Sequence, residues 1–380
     1  MRVYLDHNST SPMRPEVREL WLDVSKAGLG NPSSAHASGR RARAWIDRSR
    51  ARVAAALAVS EDEIHFTSGA TEANNVALQG VAAIAGCDAV VVTSSTEHSS
   101  VIEPARELER RGHSLRIVGV AESGAPTVDD VVAAARGAAL VSIASANNET
   151  GAVTDIAAIT RALGPERPLL HTDAVQALGR IPVHLNEWGV DLASFSAHKV
   201  GGPPGVGVLW RRKGVPLAAL CLGGGQEGGI RPGTEDVAGI AAAALAIELA
   251  VQEQGSYAER VAELTRELWS GLCTDLPGLR LLGPPIDSPR RLPNTLCLLV
   301  PGTDGRVLVT RLDLEGLEVS AGSACASGSI EPSHVLLAMG LSNEEARAAL
   351  RVSLGRTTTR EECKRARTIF GNAFSSSRAT

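Results

Sequence analysis

Between residues 62 and 210 the chain alternates short apolar runs with longer amphipathic ones. Ile64-His65-Phe66, Ala89-Val90-Val91-Val92 and the stretches 114–118, 139–143, 169–171, 192–195 and 206–210 have the length and β-branched content of buried strands. Helical patterns separate them, one opening near Ala70 and another over 103–111. Strands alternating with helices predict a mainly parallel sheet covered on both faces. A long helix is expected over 235–253, ending at Gln254-Gly255, where a domain boundary is placed. The remainder mixes expected helices at 259–275, 344–350 and 361–370 with strands at 296–300 and 352–354. It reads as a smaller α+β unit joined by the N-terminal segment, frayed only at Ser375-Ser376-Ser377.

A length of 380 residues suits two such domains, expected at 16–255 and at 1–15 with 256–380. A net charge of −4 gives no support for a nucleic-acid or membrane surface. The longest apolar stretch, 237–247, is too short for a bilayer, and the N-terminus lacks a signal peptide's apolar core, so the chain is expected to be cytoplasmic. Six cysteines show neither a CxxC pair nor metal-ligand spacing, which predicts free thiols and no metal. Cys297 lies in an apolar run and reads as an inert core thiol, and Cys221 and Cys273 also sit among leucines. Cys325 instead lies among glycine, serine and alanine, which predicts an exposed, mobile loop able to reach a site and swing away. The cluster Arg40, Arg41, Arg43, Arg48, Arg50 and Arg52 reads as a solvated helix face, or as a dock for an acidic partner.

Only four lysines stand against 34 arginines, and one of them, Lys199, precedes the glycine-rich turn Gly201-Gly202-Pro203-Pro204-Gly205. Guanidinium keeps its proton in a protein, whereas an amine in a desolvated or cationic site loses it and attacks carbonyls. Lys199 is therefore a candidate Schiff-base lysine. Gly69-Ala70-Thr71-Glu72, between a strand and a helix, suits a phosphate or merely caps the helix. Asp173 follows the strand at 169–171 and either faces a ligand or caps the next helix. A carboxylate and an amine at neighbouring strand ends are the two fixed points that pyridoxal 5′-phosphate requires.

With these residues in place the chain resembles the class V aminotransferase family, and within it cysteine desulfurases of the bacterial NifS/IscS type. The resemblance rests on Tyr4-Leu5-Asp6-His7-Asn8-Ser9-Thr10, Gly30-Asn31-Pro32-Ser33-Ser34, Thr67-Ser68-Gly69-Ala70-Thr71-Glu72, Thr96-Glu97-His98 and Asn147-Asn148-Glu149-Thr150-Gly151. It continues through His171-Thr172-Asp173-Ala174-Val175-Gln176, Ser196-Ala197-His198-Lys199, Arg231-Pro232-Gly233-Thr234-Glu235 and Gly322-Ser323-Ala324-Cys325-Ala326-Ser327-Gly328. It implies an α/β fold of the PLP-transferase fold type I, with a mainly parallel seven-stranded sheet and a smaller α+β domain.

The resemblance also implies roles. Lys199 forms the aldimine with pyridoxal phosphate, Asp173 pairs with the pyridine nitrogen and Gln176 bonds the phenolic oxygen. Ala70, Thr71, Ser196 and His198 hold the phosphate, joined by Thr234 from a second subunit of a homodimer. His98 stacks on the ring and is the proton-transfer partner. Arg351, with Asn148, clamps the substrate carboxylate. Cys325 takes sulfur from L-cysteine as a persulfide, releasing L-alanine, and passes the sulfur to an acceptor protein serving iron–sulfur assembly or tRNA or DNA thiolation. An aminotransferase or a selenocysteine lyase on the same fold stays open as an alternative, and so does a non-catalytic sulfur relay. The turn Gly202-Pro203-Pro204-Gly205 has a proline where the family usually has lysine, and Ala326 and Gly328 replace threonine and alanine. The short stretch after the last helix leaves open whether a scaffold protein docks there.

Overall fold

A computed structural model gives the fold, and the residues described are 2–322 and 331–377. After a short strand β1 (Val3–Tyr4), seven strands build the main sheet: β2 (Ile64–Thr67), β3 (Val90–Ser94), β4 (Ser114–Val118), β5 (Leu140–Ser142), β6 (Leu169–Asp173), β7 (Leu192–Ser196) and β8 (Gly207–Arg211). Their spatial order is 2-8-7-6-5-3-4. The run from β7 to β4 is parallel, and β8 is antiparallel to both of its neighbours.

The apolar residues of these strands point both ways because helices cover both faces. Val76, Val81, Val101 and Leu108, from the helices Ala70–Ala85 and Ser99–Arg110, pack with Val91, Leu140 and Leu209 on one side. On the other, Ile46 and Val53 of the helix Ala37–Leu57 and Ile240 and Ile247 of the helix Val237–Gln252 pack with Val141, Leu170, Phe195 and Trp210. Among the described residues, no single helix is long and apolar enough to cross a membrane.

A second, antiparallel sheet follows. Its strands are β9 (Arg280–Leu282), β10 (Thr295–Leu299), β12 (Ser320–Ala321) and β13 (Ala349–Ser353), in the order 12-13-10-9, while β11 (Leu317–Glu318) pairs in parallel with β1. Leu296, Leu298, Leu350 and Val352 are buried with Val261, Leu264, Leu268 and Phe370 of the helices Gln254–Asp275 and Arg360–Ser377. Along β13 the alternation sends Leu350 and Val352 into this core and leaves Arg351 and Ser353 for the other face.

Several sequence expectations need correction. The helix expected at 344–350 is only Asn343–Arg347, and Ala349 and Leu350 belong to β13, because five-residue pairing with β10 satisfies their backbone and buries their side chains. The chain does not leave helix at Gln254-Gly255. The helices Val237–Gln252 and Gln254–Asp275 meet at Glu253 with a bend of 68°. The last helix continues through Ser377. Cys273 is exposed, since the buried stripe of its helix runs through Leu264, Leu268 and Leu272, and Cys221 is exposed in the loop after β8.

The arginine cluster is not a plain solvated face. Arg50 makes a part-buried bidentate pair with the buried Glu227 (2.9 and 2.7 Å), and Arg52 pairs with Glu248 on the neighbouring helix at 3.1 Å. Glu227 also accepts from the Phe66 N–H at 2.8 Å, so this pair fastens the loop before Thr234 to the edge of the main sheet.

One backbone contact matters for the site. A Cβ on Gly207, the first residue of β8, would lie 2.4 Å from the Gly69 carbonyl carbon and 2.8 Å from Ala70 N. Gly207→Ala is expected to lower stability by about 1–3 kcal/mol through overpacking. Thermal unfolding checks it, and an unchanged midpoint would rule out the tight approach.

Candidate active site

Parallel sheets present ligands beyond the carboxyl ends of their strands, and two such ends meet here. Asp173 is the last residue of β6, and Ser196, the last of β7, runs directly into the single helical turn Ala197–Val200 that carries Lys199. The two strands are hydrogen-bonded neighbours, with Asp173 opposite Ser194. A cavity of about 380 Å³ opens there. Its wall includes Ala70, Thr71, His98, Asn148, Asp173, Gln176, Ser196, His198, Lys199 and Arg351. Thr234 is exposed and is not part of that wall, and Cys325 lies outside the described residues.

Each wall residue is held by its own element. The Lys199 ammonium donates to the carbonyl oxygens of Asn8 (2.8 Å) and Ser9 (2.5 Å). Asn8 is itself fixed: its N–H donates to Ser353 Oγ at 2.9 Å and its Nδ2 to Thr295 Oγ1 at 2.8 Å. The lysine is thus positioned by a segment anchored on the second sheet. Asp173 is buried; its Oδ1 accepts from the Val175 N–H (3.0 Å) and its Oδ2 from Asn74 Nδ2 (2.8 Å). It therefore caps the following turn and still faces the cavity. Gln176 donates from Nε2 to the Asn8 carbonyl (3.1 Å), and its buried Oε1 has no partner among the described residues.

On the phosphate-like side, Gly69 caps the helix Ala70–Ala85, and Ser196 and His198 stand opposite. Burial, then the Lys199 and Arg180 charges, lower the His198 pKa to about 4, so this ring is neutral near pH 7. On the far side Arg351, 1% exposed, pairs with Asp6 Oδ1 at 2.7 Å and donates to the Asn148 carbonyl at 3.3 Å, while its Nε has no partner among the described residues.

Residues 3–365 match the family Aminotransferase class-V. The chain belongs to that family. A Cysteine desulfurase IscS of Dictyoglomus turgidum is 42% identical over 362 residues, covering 95% of this chain and 91% of the relative. A solved NifS-like protein is 37% identical with a TM-score of 0.92, over 99% of this chain and 100% of that one. Another solved chain, SspA in complex with cysteine, is 29% identical with a TM-score of 0.80, over 93% of this chain and 98% of that one.

Class-V membership leaves several functional neighbours unnamed by sequence reasoning. Asn8 and Asn74 act only through folding partners distant in the chain. Glu97 and Glu149 would pass for surface acids, yet both are buried. Glu97 accepts from Ser94 Oγ (2.7 Å) and the Ala144 N–H (2.9 Å), and its carbonyl receives His334 Nε2 at 2.9 Å. Glu149 Oε2 meets Ser333 Oγ at 2.6 Å. Gly322, whose N–H donates to the Ala349 carbonyl at 3.2 Å, approaches the same carboxyl, since a Cβ there would lie 3.7 Å from Glu149 Oε2. The described residues on both sides of the Cys325 segment are therefore moored beside Glu149, next to the cavity residue Asn148.

Burial raises the Glu97 pKa to about 8 and the Glu149 pKa to about 7 from an ordinary 4.5. A carboxyl whose folded pKa is raised stabilises the fold fully below its unfolded pKa and loses that contribution as pH rises through the folded one. Stability is thus expected to fall between about pH 5 and 8. Denaturant titration of the protein and of Glu97→Gln at several pH values checks this. The variant should show a flatter decline, and an identical slope would mean that Glu97 ionises normally.

Proposed function

We propose that the protein is a pyridoxal-phosphate-dependent cysteine desulfurase, which removes sulfur from L-cysteine and releases L-alanine. The observation that carries the reading is one cavity shared by the Lys199 amine, the Asp173 carboxylate and the Arg351 guanidinium. The wall has the donor set this cofactor needs: an amine for its aldehyde, a carboxylate for its ring nitrogen, and a partnerless amide oxygen on Gln176 beside them. The helix start at Ala70 with Thr71, Ser196 and His198 supplies N–H and hydroxyl groups for a phosphate. Thr234 from a second copy of the chain would complete that phosphate site in a homodimer. When bound, the cofactor supplies a conjugated electron sink that stabilises negative charge at the substrate Cα.

The chain's own groups do the rest. Lys199 would hold the cofactor's aldehyde through its amine, which the Asn8 and Ser9 carbonyls position. Asp173, braced by Asn74 and Val175, keeps the ring nitrogen protonated. Arg351 and Asn148 orient the substrate carboxylate, a natural counter-charge for a buried guanidinium with an unused Nε–H. His98, on the cavity wall, would lie beside the cofactor ring and handle a proton there. Cys325 takes the sulfur as a thiolate. Its new S–S bond forms as the substrate's Cβ–S bond breaks, and the resulting persulfide passes to an acceptor protein. Residues 16–255 are taken as the large domain, and 1–15 with 256–380 as the small one, which carries Arg351 and, in sequence, Cys325.

Cys325→Ala is expected to lose sulfide release from L-cysteine, measured with a thiol reductant present, by about 100-fold or more. It should retain the visible absorbance of the bound cofactor. Undiminished release on cysteine would overturn the desulfurase reading.

A further inference from the structure

A chain of hydrogen bonds runs from Asp173 to His98 beneath the cavity. Asn74, fully buried in the helix Ala70–Ala85, donates from Nδ2 to Asp173 Oδ2 and to Ser100 Oγ, both at 2.8 Å. Its orientation is fixed, because a flipped amide would set its oxygen against the Asp173 carboxylate, acceptor facing acceptor. Ser100 Oγ lies 2.7 Å from His98 Nδ1, and the Ser100 N–H donates to the same nitrogen at 3.1 Å. His98 is the N-cap of the helix Ser99–Arg110, so this backbone donor is one of the helix's otherwise unpaired N–H groups.

The direction of each bond follows from the backbone donor. The Ser100 N–H can only donate, so Nδ1 is an acceptor, and Ser100 Oγ, which accepts the Asn74 hydrogen, gives its own hydroxyl proton to that same nitrogen. Nδ1 then receives two donors, one from the hydroxyl and one from the backbone. A proton on that nitrogen would face both of them. The neutral imidazole therefore carries its hydrogen on Nε2.

We propose that Asn74 and Ser100 are positioning residues that hold His98 as its Nε2–H tautomer, so that neutral His98 meets substrate as a hydrogen-bond donor and not as the base. This rests on the cavity being the reaction site proposed above, and it specifies which way His98 handles a proton. His98 cannot take a proton on Nε2 while it still carries one there. Because Asn74 also braces Asp173, the same amide sets the carboxylate below the ring and the imidazole beside it.

The test is nitrogen NMR of holoprotein carrying 15N-labelled histidine, at a pH where the imidazole is neutral, with His98 assigned by its loss in His98→Gln. The expected result is a protonated Nε2 and an unprotonated Nδ1. In Asn74→Ala the Ser100 hydroxyl is no longer held in place by its donor and can turn away from His98, so the proton should shift in part to Nδ1, with Asn74→Ser as a gentler variant should the alanine protein fold poorly. A proton on Nδ1 in the unaltered protein would overturn the proposal, as would the same tautomer mixture in the unaltered protein and a folded Asn74 variant. The readout involves no turnover, so a failed desulfurase assay and a failed tautomer assignment are distinguishable.

Discussion

The Lys199 ammonium stands at the end of β7, held there by two carbonyl oxygens from the first ten residues of the chain. A lysine side chain is long and mobile, and leaving its charge in a recess without acceptors would be costly. The carbonyls of Asn8 and Ser9 resolve both problems, since they accept the charge and fix its place. They can do so only because Asn8 is tied to Thr295 and Ser353 of the second sheet. The amine of one sheet thus depends on the other sheet for its position. The cavity exists as a working unit only when both sheets are folded and in contact.

The polar interior follows the same economy. Around the cavity, buried polar groups are bonded to partners that arrive from elsewhere in the fold. Asp173 is met by Asn74 of the helix Ala70–Ala85, Arg351 by Asp6 near the N-terminus, and Glu149 by Ser333 beyond the Cys325 segment. His171, deeper in β6, bridges Ser142 of β5 (2.8 Å) and Ser194 of β7 (3.0 Å), and burial holds it neutral with a pKa of about 3. Such bonded interiors are rigid, which suits a floor that must keep several groups in register. Among the described residues, the buried atoms without a partner include Gln176 Oε1 and Arg351 Nε, both of wall residues of this cavity, and Asn74 Oδ1 beside Asp173.

Much of this was legible in the sequence. The apolar runs marked the strands of the main sheet, with β7 at 192–196 against an expected 192–195, because buried parallel strands leave short apolar stretches. Lys199 and Asp173 were legible because each follows such a run directly. The strand β13 was not fully legible: an alternating segment after charged Glu344 and Glu345 fits a helix as well as a strand, and only pairing with β10 decides. Arg50 was read as surface because its partner Glu227 lies 177 positions away. The same distance problem hid Asn8, Asn74, Glu97 and Glu149, none of which carries a local pattern that betrays burial. Cys325, singled out by its small-residue surroundings, lies outside the described residues, and the structure adds only where the residues flanking its segment are moored.

The most direct measurement concerns the amine itself. Borohydride treatment of the purified protein, followed by peptide mass spectrometry, fixes a bound cofactor carbonyl to whichever lysine holds it. A cavity built around Lys199 predicts a phosphopyridoxyl group on that residue. The group on Lys26, Lys213 or Lys364 instead, or on no lysine of a protein supplied with the cofactor, would contradict it.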